Sequence, residues 1–275
     1  MKKFKMIATD LDETLLNKKK QISKNNIQAL RDATKTGSIV VLASGRVMKS
    51  IESYKKAIDI EAPIISCNGA YVKNLNGDII LDRQIPFETI KEIARIGDKY
   101  GVYYHFYNSE NIYSKFKDDK YKKYYFTSGY DNEKVNIKIQ YDDIEEIKEK
   151  NIPIYKTLFI SLDIELRDKV EEELKNIPNT TVTSSIRNNI EVTAKGVDKG
   201  AALKKLAQIY NIENKDIIAI GDNRNDIPMI EYAGLGIAVR NSAKNLKDKA
   251  KLVVCSNEED AVAKVIKKYI LKEEF

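Results

Sequence analysis

Short apolar runs alternate with segments in which apolar residues recur every three or four positions, and this rhythm governs the first eighty residues. Residues 4–9 read as a buried strand, and "SKNNIQALRDATKTG" reads as a helix with Ser23 as N-cap and Gly37 as its stop. "IVVLASG" reads as a second strand, "KSIESYKKAI" as a helix and "APIISCNGAYV" as a further strand. Strand and helix in strict alternation predict a doubly wound parallel α/β sheet.

The rhythm changes near residue 80, after "NLNGDII", where Asn76-Gly77 signals a hairpin turn. A helix over 86–100 is followed by short strands at "VYYHFYN", "NIYSKF", "VNIKIQ", "IYKTLFISL", "TTVTSS" and "NNIEVTA". Helices fall at "DDIEEIKEK" and "DIELRDKVEEELKN". Short turns between many strands predict an α+β module with an antiparallel sheet, inserted into the first domain. From Lys195 the alternation returns: a helix over 199–210, the strand "DIIAIGD", a helix from Asp226, the strands "LGIAV" and "LVV" with a helix between them, and a final helix from Glu258. The expected division is therefore a discontinuous core, 1–82 with 191–275, around an inserted domain at 83–190.

Composition adds limits rather than detail. With 275 residues, 43% apolar and 32% charged, the chain can bury a sizeable core and is expected to fold throughout. A net charge of +6 is compatible with anionic substrates or weak nucleic-acid attraction and decides neither. Cys67 and Cys255 lack C-x-x-C spacing, which argues against a zinc site or disulfide framework and for a reducing cytoplasm. The apolar run at the start is interrupted by Asp10 and Asp12 before it reaches signal-peptide length, and no stretch is long enough to span a bilayer. His105 is the lone histidine, so acid–base chemistry falls mainly on carboxylates, lysines or tyrosines.

The first strand ends in two carboxylates. Side chains alternate with period two, so Asp10 and Asp12 point roughly the same way. At roughly 5 Å and an effective dielectric of about 20 their repulsion is about 3 kcal/mol, which calls for a cation or a shared proton. In open α/β sheets ligands gather at the carboxyl ends of the strands. There the sequence supplies Ser44, Gly45 and Arg46 in "ASGR", Lys199 in "GVDKG", and Asp222, Asn225 and Asp226 in "GDNRND". Oxygen ligands without histidine or thiolate suit Mg2+. A phosphate dianion beside Asp10 and Asp222 carries about −4, which magnesium and Lys199 offset by about +3. Asp10 could then attack phosphorus in line while Asp12 protonates the leaving oxygen and later deprotonates water. Ser44 and the backbone N–H groups after it would hold phosphate oxygens.

Taken singly, D-x-D is a common turn, Ser-Gly another, and a helical lysine is usually solvated. The ordered set of four, split by an inserted domain, resembles the haloacid dehalogenase superfamily, in its Cof-type class IIB sugar-phosphatase branch. "DLDETL", "ASGR", the "KG" at Lys199 and "GDNRND" resemble its four motifs in order, and "SCNGA" and "EVTAKG" also look like this branch. The resemblance implies a Rossmann-like core with a C2B-type cap. It implies Asp10 as phosphorylated nucleophile, Asp12 as general acid/base, and Ser44 and Lys199 holding phosphate, with Leu11, Gly45 and Asn225 around it. Asp10, the Asp12 backbone carbonyl and Asp222 are the implied magnesium ligands, and Arg46 and Asp226 have supporting roles. Arg224 departs from the pattern, since an acidic residue is commoner there.

The stretch from Tyr100 to Tyr130 is dense in tyrosine and lysine, which could stack the bases of a nucleic acid; a cap sheet with one buried face is the plainer expectation. His105, sharing a face with Tyr103 and Tyr107, is expected to be a packed or surface cap residue. Cys67 and Cys255 are expected in the core. The expected function is hydrolysis of a small phosphorylated metabolite, with a phosphosugar mutase or a non-catalytic phosphosugar or nucleic-acid binding module as alternatives. The expected state is a monomer or weak homo-oligomer.

Overall fold

A computed structural model describes residues 4–117 and 138–273. The chain runs through β1 (Met6–Asp10), α1 (Lys24–Lys35), β2 (Ile39–Ala43), α2 (Met48–Ile58), β3 (Ile64–Ser66), β4 (Tyr71–Lys73) and β5 (Ile79–Asp82). It continues through α3 (Phe87–Tyr100), β6 (Tyr103–Tyr107), β7 (Ile112–Ser114), β8 (Lys138–Gln140), α4 (Glu145–Glu149), β9 (Lys156–Ile160), α5 (Ile164–Lys175), β10 (Thr180–Thr183) and β11 (Asn189–Ala194). It closes with α6 (Lys199–Ile209), β12 (Ile217–Gly221), α7 (Ile227–Tyr232), β13 (Leu235–Ala238), α8 (Lys244–Lys247), β14 (Leu252–Val253) and α9 (Ala261–Ile266).

Two sheets result. The first has eight strands in the order β14-β13-β12-β1-β2-β3-β4-β5, parallel from β14 to β3 and antiparallel at β4 and β5. β1 is central, flanked in register by β2 and β12, and all five of its residues are buried. Period two divides them between two layers. Ile7 packs with Leu30 of α1, Ile51 of α2 and Val262 of α9, whereas Met6 and Ala8 pack with Leu203 of α6 and Met229 of α7. Caps fix where helices begin: the side chains of Ser23, Asp163 and Asp198 accept from the backbone N–H groups of Asn26, Leu166 and Ala201.

The second sheet has six strands in the order β10-β11-β9-β6-β7-β8, antiparallel except for β7 with β8. Tyr104, Phe106, Phe159 and Val192 pack on Ile93 of α3 and Val170 of α5. Tyr103, Tyr107, Leu158 and Ile160 join the apolar cluster of the first domain, so the sheet's other face lies against the core. His105 is fully buried there between Tyr103 and Tyr107, at ring separations of 5.5 and 4.8 Å, and burial holds its pKa well below the ordinary value. Cys67 is buried as expected, and burial pushes its thiol up to about 12; Cys255 is half-buried.

Three details differ from the sequence reading. "APIISCNGAYV" is two strands, because Cys67, Asn68 and Gly69 adopt φ of 48°, 58° and 103° and reverse the chain within an apolar run. A Cβ on Gly69 would lie 2.5 Å from the Asp198 carbonyl oxygen, so this reversal requires glycine. β11 belongs to the second sheet, so the chain returns to the first sheet after Ala194 rather than at 191. The final helix begins beyond the turn at Asp260, where φ is 58°, instead of at Glu258. In the tyrosine- and lysine-rich stretch, residues 118–130 lie outside the described residues, as do 135–137 of "VNIKIQ". Among the described residues no helix is long and apolar enough to cross a membrane.

Candidate active site

The carboxyl ends of β1, β2 and β12 point at the open face of the second sheet, and a cavity of about 90 Å3 lies between them. Its first-domain wall includes Asp10, Asp12, Ser44, Arg46, Asp222 and Asn225. Tyr107, Lys156, Leu158 and Glu191 face them from the second sheet.

Asp10 ends β1, and its Oδ1 accepts from Lys199 Nζ at 2.5 Å. Lys199 is completely buried at the first turn of α6 and also donates to Asp226 Oδ1 at 2.6 Å. Neither Lys199 nor Asp226 lines the cavity; both are buried, and Lys199 links Asp226 to Asp10, which does line it. The other Asp226 oxygen accepts from the backbone N–H groups of Asp222 and Asn223, both at 3.0 Å, which ties the loop after β12 to the start of α6 through one carboxylate. Thr14 Oγ1 donates to Asp222 Oδ1 at 2.9 Å.

Carboxylate oxygens of Asp10, Asp222 and Asp226 lie within 4.8 Å of one another, all buried. Burial first, then the neighbouring carboxylates Asp226 and Asp12, outweigh Lys199 and push Asp10 up to about 8. Asp222 is raised for the same reasons, by burial and then by Asp10 and Asp226. Burial opposes the Lys199 ammonium, but the same acids outweigh it and hold Lys199 charged. The cluster is short of positive charge by itself and is built of hard oxygen donors, the donor set of a hard cation.

Asp12 has a different environment. Burial favours its neutral form, yet the Arg46 guanidinium, then Lys20, hold it below the ordinary carboxylate range. Arg46 Nε and Nη2 each lie 2.8 Å from one Asp12 oxygen, and Lys20 Nζ lies 3.2 Å from Oδ1. Ser44 Oγ accepts from the Arg46 N–H at 3.2 Å, closing a small turn after β2. Leu11 is fully buried within the apolar core, so only its backbone can face a ligand.

A buried polar chain connects the two walls. Asn225 Nδ2 donates to Asn68 Oδ1 at 3.2 Å, and Asn68 Nδ2 donates to Glu191 Oε2 at 2.9 Å. Glu191 Oε1 accepts from Lys156 Nζ at 2.9 Å, and the same ammonium donates to the Gly45 carbonyl at 2.6 Å. Sequence reasoning missed Thr14, Asn68, Lys156 and Glu191 as site residues. Asn68 and Glu191 do lie in the "SCNGA" and "EVTAKG" stretches noted there, whereas Lys156 carries no local signal.

Residues 7–266 match the family model of haloacid dehalogenase-like hydrolases. The chain is 34% identical to the 5-amino-6-(5-phospho-D-ribitylamino)uracil phosphatase YwtE of Bacillus subtilis (strain 168), over 94% of this chain and 96% of that protein. It superposes on a haloacid dehalogenase-like hydrolase from B. subtilis with a TM-score of 0.87 at 27% identity, covering 96% of this chain and 99% of the other. On a subclass IIB sugar phosphatase of the same superfamily the TM-score is 0.82 at 26% identity, covering 96% and 98%. With motifs in this order on a doubly wound core beneath a second sheet, the chain belongs to the haloacid dehalogenase-like hydrolases, in their Cof-type class IIB branch of phosphatases.

Proposed function

We propose that this phosphatase is magnesium-dependent and hydrolyses small phosphomonoesters through an aspartyl phosphate on Asp10. The observation that carries the reading is the buried Asp10 in the cavity wall, bonded to Lys199 and accompanied in that wall by Asp222 and Ser44. Asp10, Asp222 and the Asp12 backbone carbonyl would hold the ion, while Asp226 is already engaged by Lys199 and two backbone N–H groups. When bound, magnesium supplies positive charge that lets a phosphate dianion approach a carboxylate.

An Asp10 oxygen attacks phosphorus, the bond to the ester oxygen breaks, and that oxygen takes a proton from Asp12. Water then attacks the aspartyl phosphate while Asp12 accepts its proton, freeing phosphate and Asp10. The Arg46 fork holds Asp12 as the base this second step needs. For the acid step Asp12 must first take up a proton from solvent, and a phosphate that shares the Arg46 guanidinium with it favours that protonated form. Ser44 and the Gly45 turn bind phosphate oxygens, and the second sheet excludes bulk water.

The test is phosphate release from a panel of sugar phosphates, nucleotides, cofactor phosphates and the phosphorylated ribitylaminouracil named for the relative above. Each is run with magnesium, with excess chelator, and with the Asp10→Asn variant. Metal-dependent release abolished in Asp10→Asn is expected; wild-type turnover in that variant would remove Asp10 from the nucleophile role.

A further inference from the structure

We propose that the buried Glu191–Lys156 pair selects the leaving group, taking a hydroxyl that bridges the two and rejecting a second anionic group at that position. The inference rests on the phosphatase reading and deepens it.

Glu191 on β11 and Lys156 on β9 are each 2% exposed, and both line the cavity from the second sheet, beside the Gly45 turn that follows Ser44. A phosphomonoester with its phosphorus near Asp10 occupies this same cavity, so its organic part comes within reach of them. Both groups are held before any ligand arrives. Lys156 is fixed by Glu191, by the Gly45 carbonyl and by the Tyr107 ring, whose centroid is 4.4 Å from Nζ; Glu191 is fixed by Lys156 and Asn68. A carboxylate oxygen has lone pairs beyond those bonds, so Glu191 can still accept from an O–H. A hydroxyl also accepts, and can receive a hydrogen bond from the third N–H of the Lys156 ammonium, beyond the two given to Glu191 and Gly45. It satisfies both groups without bringing net charge into a buried site. A carboxylate or second phosphate would meet Glu191 at close range with no unshared cation to compensate it among these neighbours.

The packing around Gly45 shows how closely this pair approaches the phosphate turn. A Cβ there would lie 2.9 Å from Asn68 Oδ1, 3.1 Å from Lys156 Nζ and 3.4 Å from Glu191 Oε1. Glycine leaves the ion pair in contact with the turn that follows Ser44, so selection of the leaving group and placement of phosphate share one set of bonds.

Three small probes separate the possibilities: glycerol phosphate, which carries hydroxyls; phosphoglycolate, which carries a carboxylate; and p-nitrophenyl phosphate, which carries neither. Wild-type kcat/KM is expected to favour glycerol phosphate over phosphoglycolate. Glu191→Gln is expected to lower kcat/KM for glycerol phosphate about 10- to 100-fold more than for p-nitrophenyl phosphate, and to narrow the rejection of phosphoglycolate. Because Glu191→Gln leaves Lys156 beside a neutral partner and can unfold the chain, the double variant Glu191→Gln with Lys156→Met, which removes both charges, serves the same comparison. Equal losses on all three probes would mark the pair as structural and overturn the proposal. Wild-type turnover of p-nitrophenyl phosphate without preference for glycerol phosphate would overturn the subsite alone, and no turnover of any probe would overturn the phosphatase reading with it.

Discussion

Arg46 lies fork to fork on Asp12, with Nε and Nη2 each 2.8 Å from one carboxylate oxygen and the guanidinium almost wholly buried. The arginine also donates to Ser50 Oγ at 3.1 Å and sits 5.1 Å from the Tyr54 ring centroid, so its orientation is set by α2. Two motifs 34 residues apart are thus joined by one planar pair.

Arg46→Met is expected to cost about 3 kcal/mol at neutral pH, because a buried carboxylate loses its main partner. A depressed carboxylate contributes stability above its unfolded pKa and loses it as pH falls toward the folded value. The gap between wild type and variant should therefore be full at pH 7 and shrink below about pH 4. Urea unfolding at both pH values checks this, and a gap independent of pH would show that Asp12 is not held in its charged form by Arg46.

The reaction side of the site was legible because its residues sit where strand period and strand order place them. Asp10 ends a buried strand, Ser44 follows the next, and Asp222 follows β12, so a parallel sheet brings them to one edge. The opposite wall was not legible. Lys156 shares its face of β9 with Leu158 and Ile160, and Glu191 sits on the polar face of β11 between Asn189 and Thr193, a pattern that any solvent-facing strand would show, so only the docking of the second sheet on the first reveals that these faces meet the cavity. The reversal at Cys67–Gly69 was hidden for a related reason: "IISCNGAYV" is apolar on both sides of the turn, so hydrophobic pattern alone carries the strand through it.

Removing or adding metal should be visible without turnover. Asp10 is raised by burial and by Asp226 and Asp12, and Asp222 by burial and by Asp10 and Asp226, so a divalent cation between Asp10 and Asp222 relieves a cost already present in the folded chain. Magnesium at about 100 times its dissociation constant should stabilise the fold by about 2.7 kcal/mol, and excess chelator should reverse it. Thermal melting with and without magnesium measures the shift. Asp222→Asn should diminish the response; an undiminished response would place the ion elsewhere.

Gly200 follows Lys199 at the start of α6, and a Cβ there would lie 2.4 Å from the Pro228 carbonyl oxygen and 2.5 Å from its carbon. Both atoms are backbone, so α6 and α7 must separate to admit a methyl group. Gly200→Ala is expected to cost about 2 kcal/mol and to displace the Lys199 ammonium from Asp10. A displacement of about 1 Å near reacting groups can reduce kcat/KM about 100-fold, so activity should fall more steeply than stability. Thermal melting and turnover on one preparation test the pairing, and a variant with wild-type turnover would show that α6 accommodates the methyl group without moving Lys199.

Arg224, the departure in the fourth motif, reaches across to the second domain, where its Nη1 lies 2.9 Å from Glu171 Oε1 on α5. Glu171 also pairs with Arg167 and with Lys175, so it keeps compensating charge when Arg224 is lost. The loss therefore falls on docking rather than on the fold of either domain. The Arg224 side chain is 38% exposed, which limits the pair to about 0.5–1 kcal/mol after solvent screening. Arg224→Asp replaces attraction by repulsion and should weaken closure of the second sheet over the cavity. Asn223 Nδ2, which donates to the Ser185 carbonyl at 2.7 Å, remains as a second tie and should prevent complete release. Hydrogen exchange is expected to quicken in β10 and in the loop 222–226, with KM rising about threefold and kcat less affected. Unchanged exchange and KM would show that this ion pair rides on a closure fixed by Asn223 on Ser185 and by Lys156, Asn68 and Glu191.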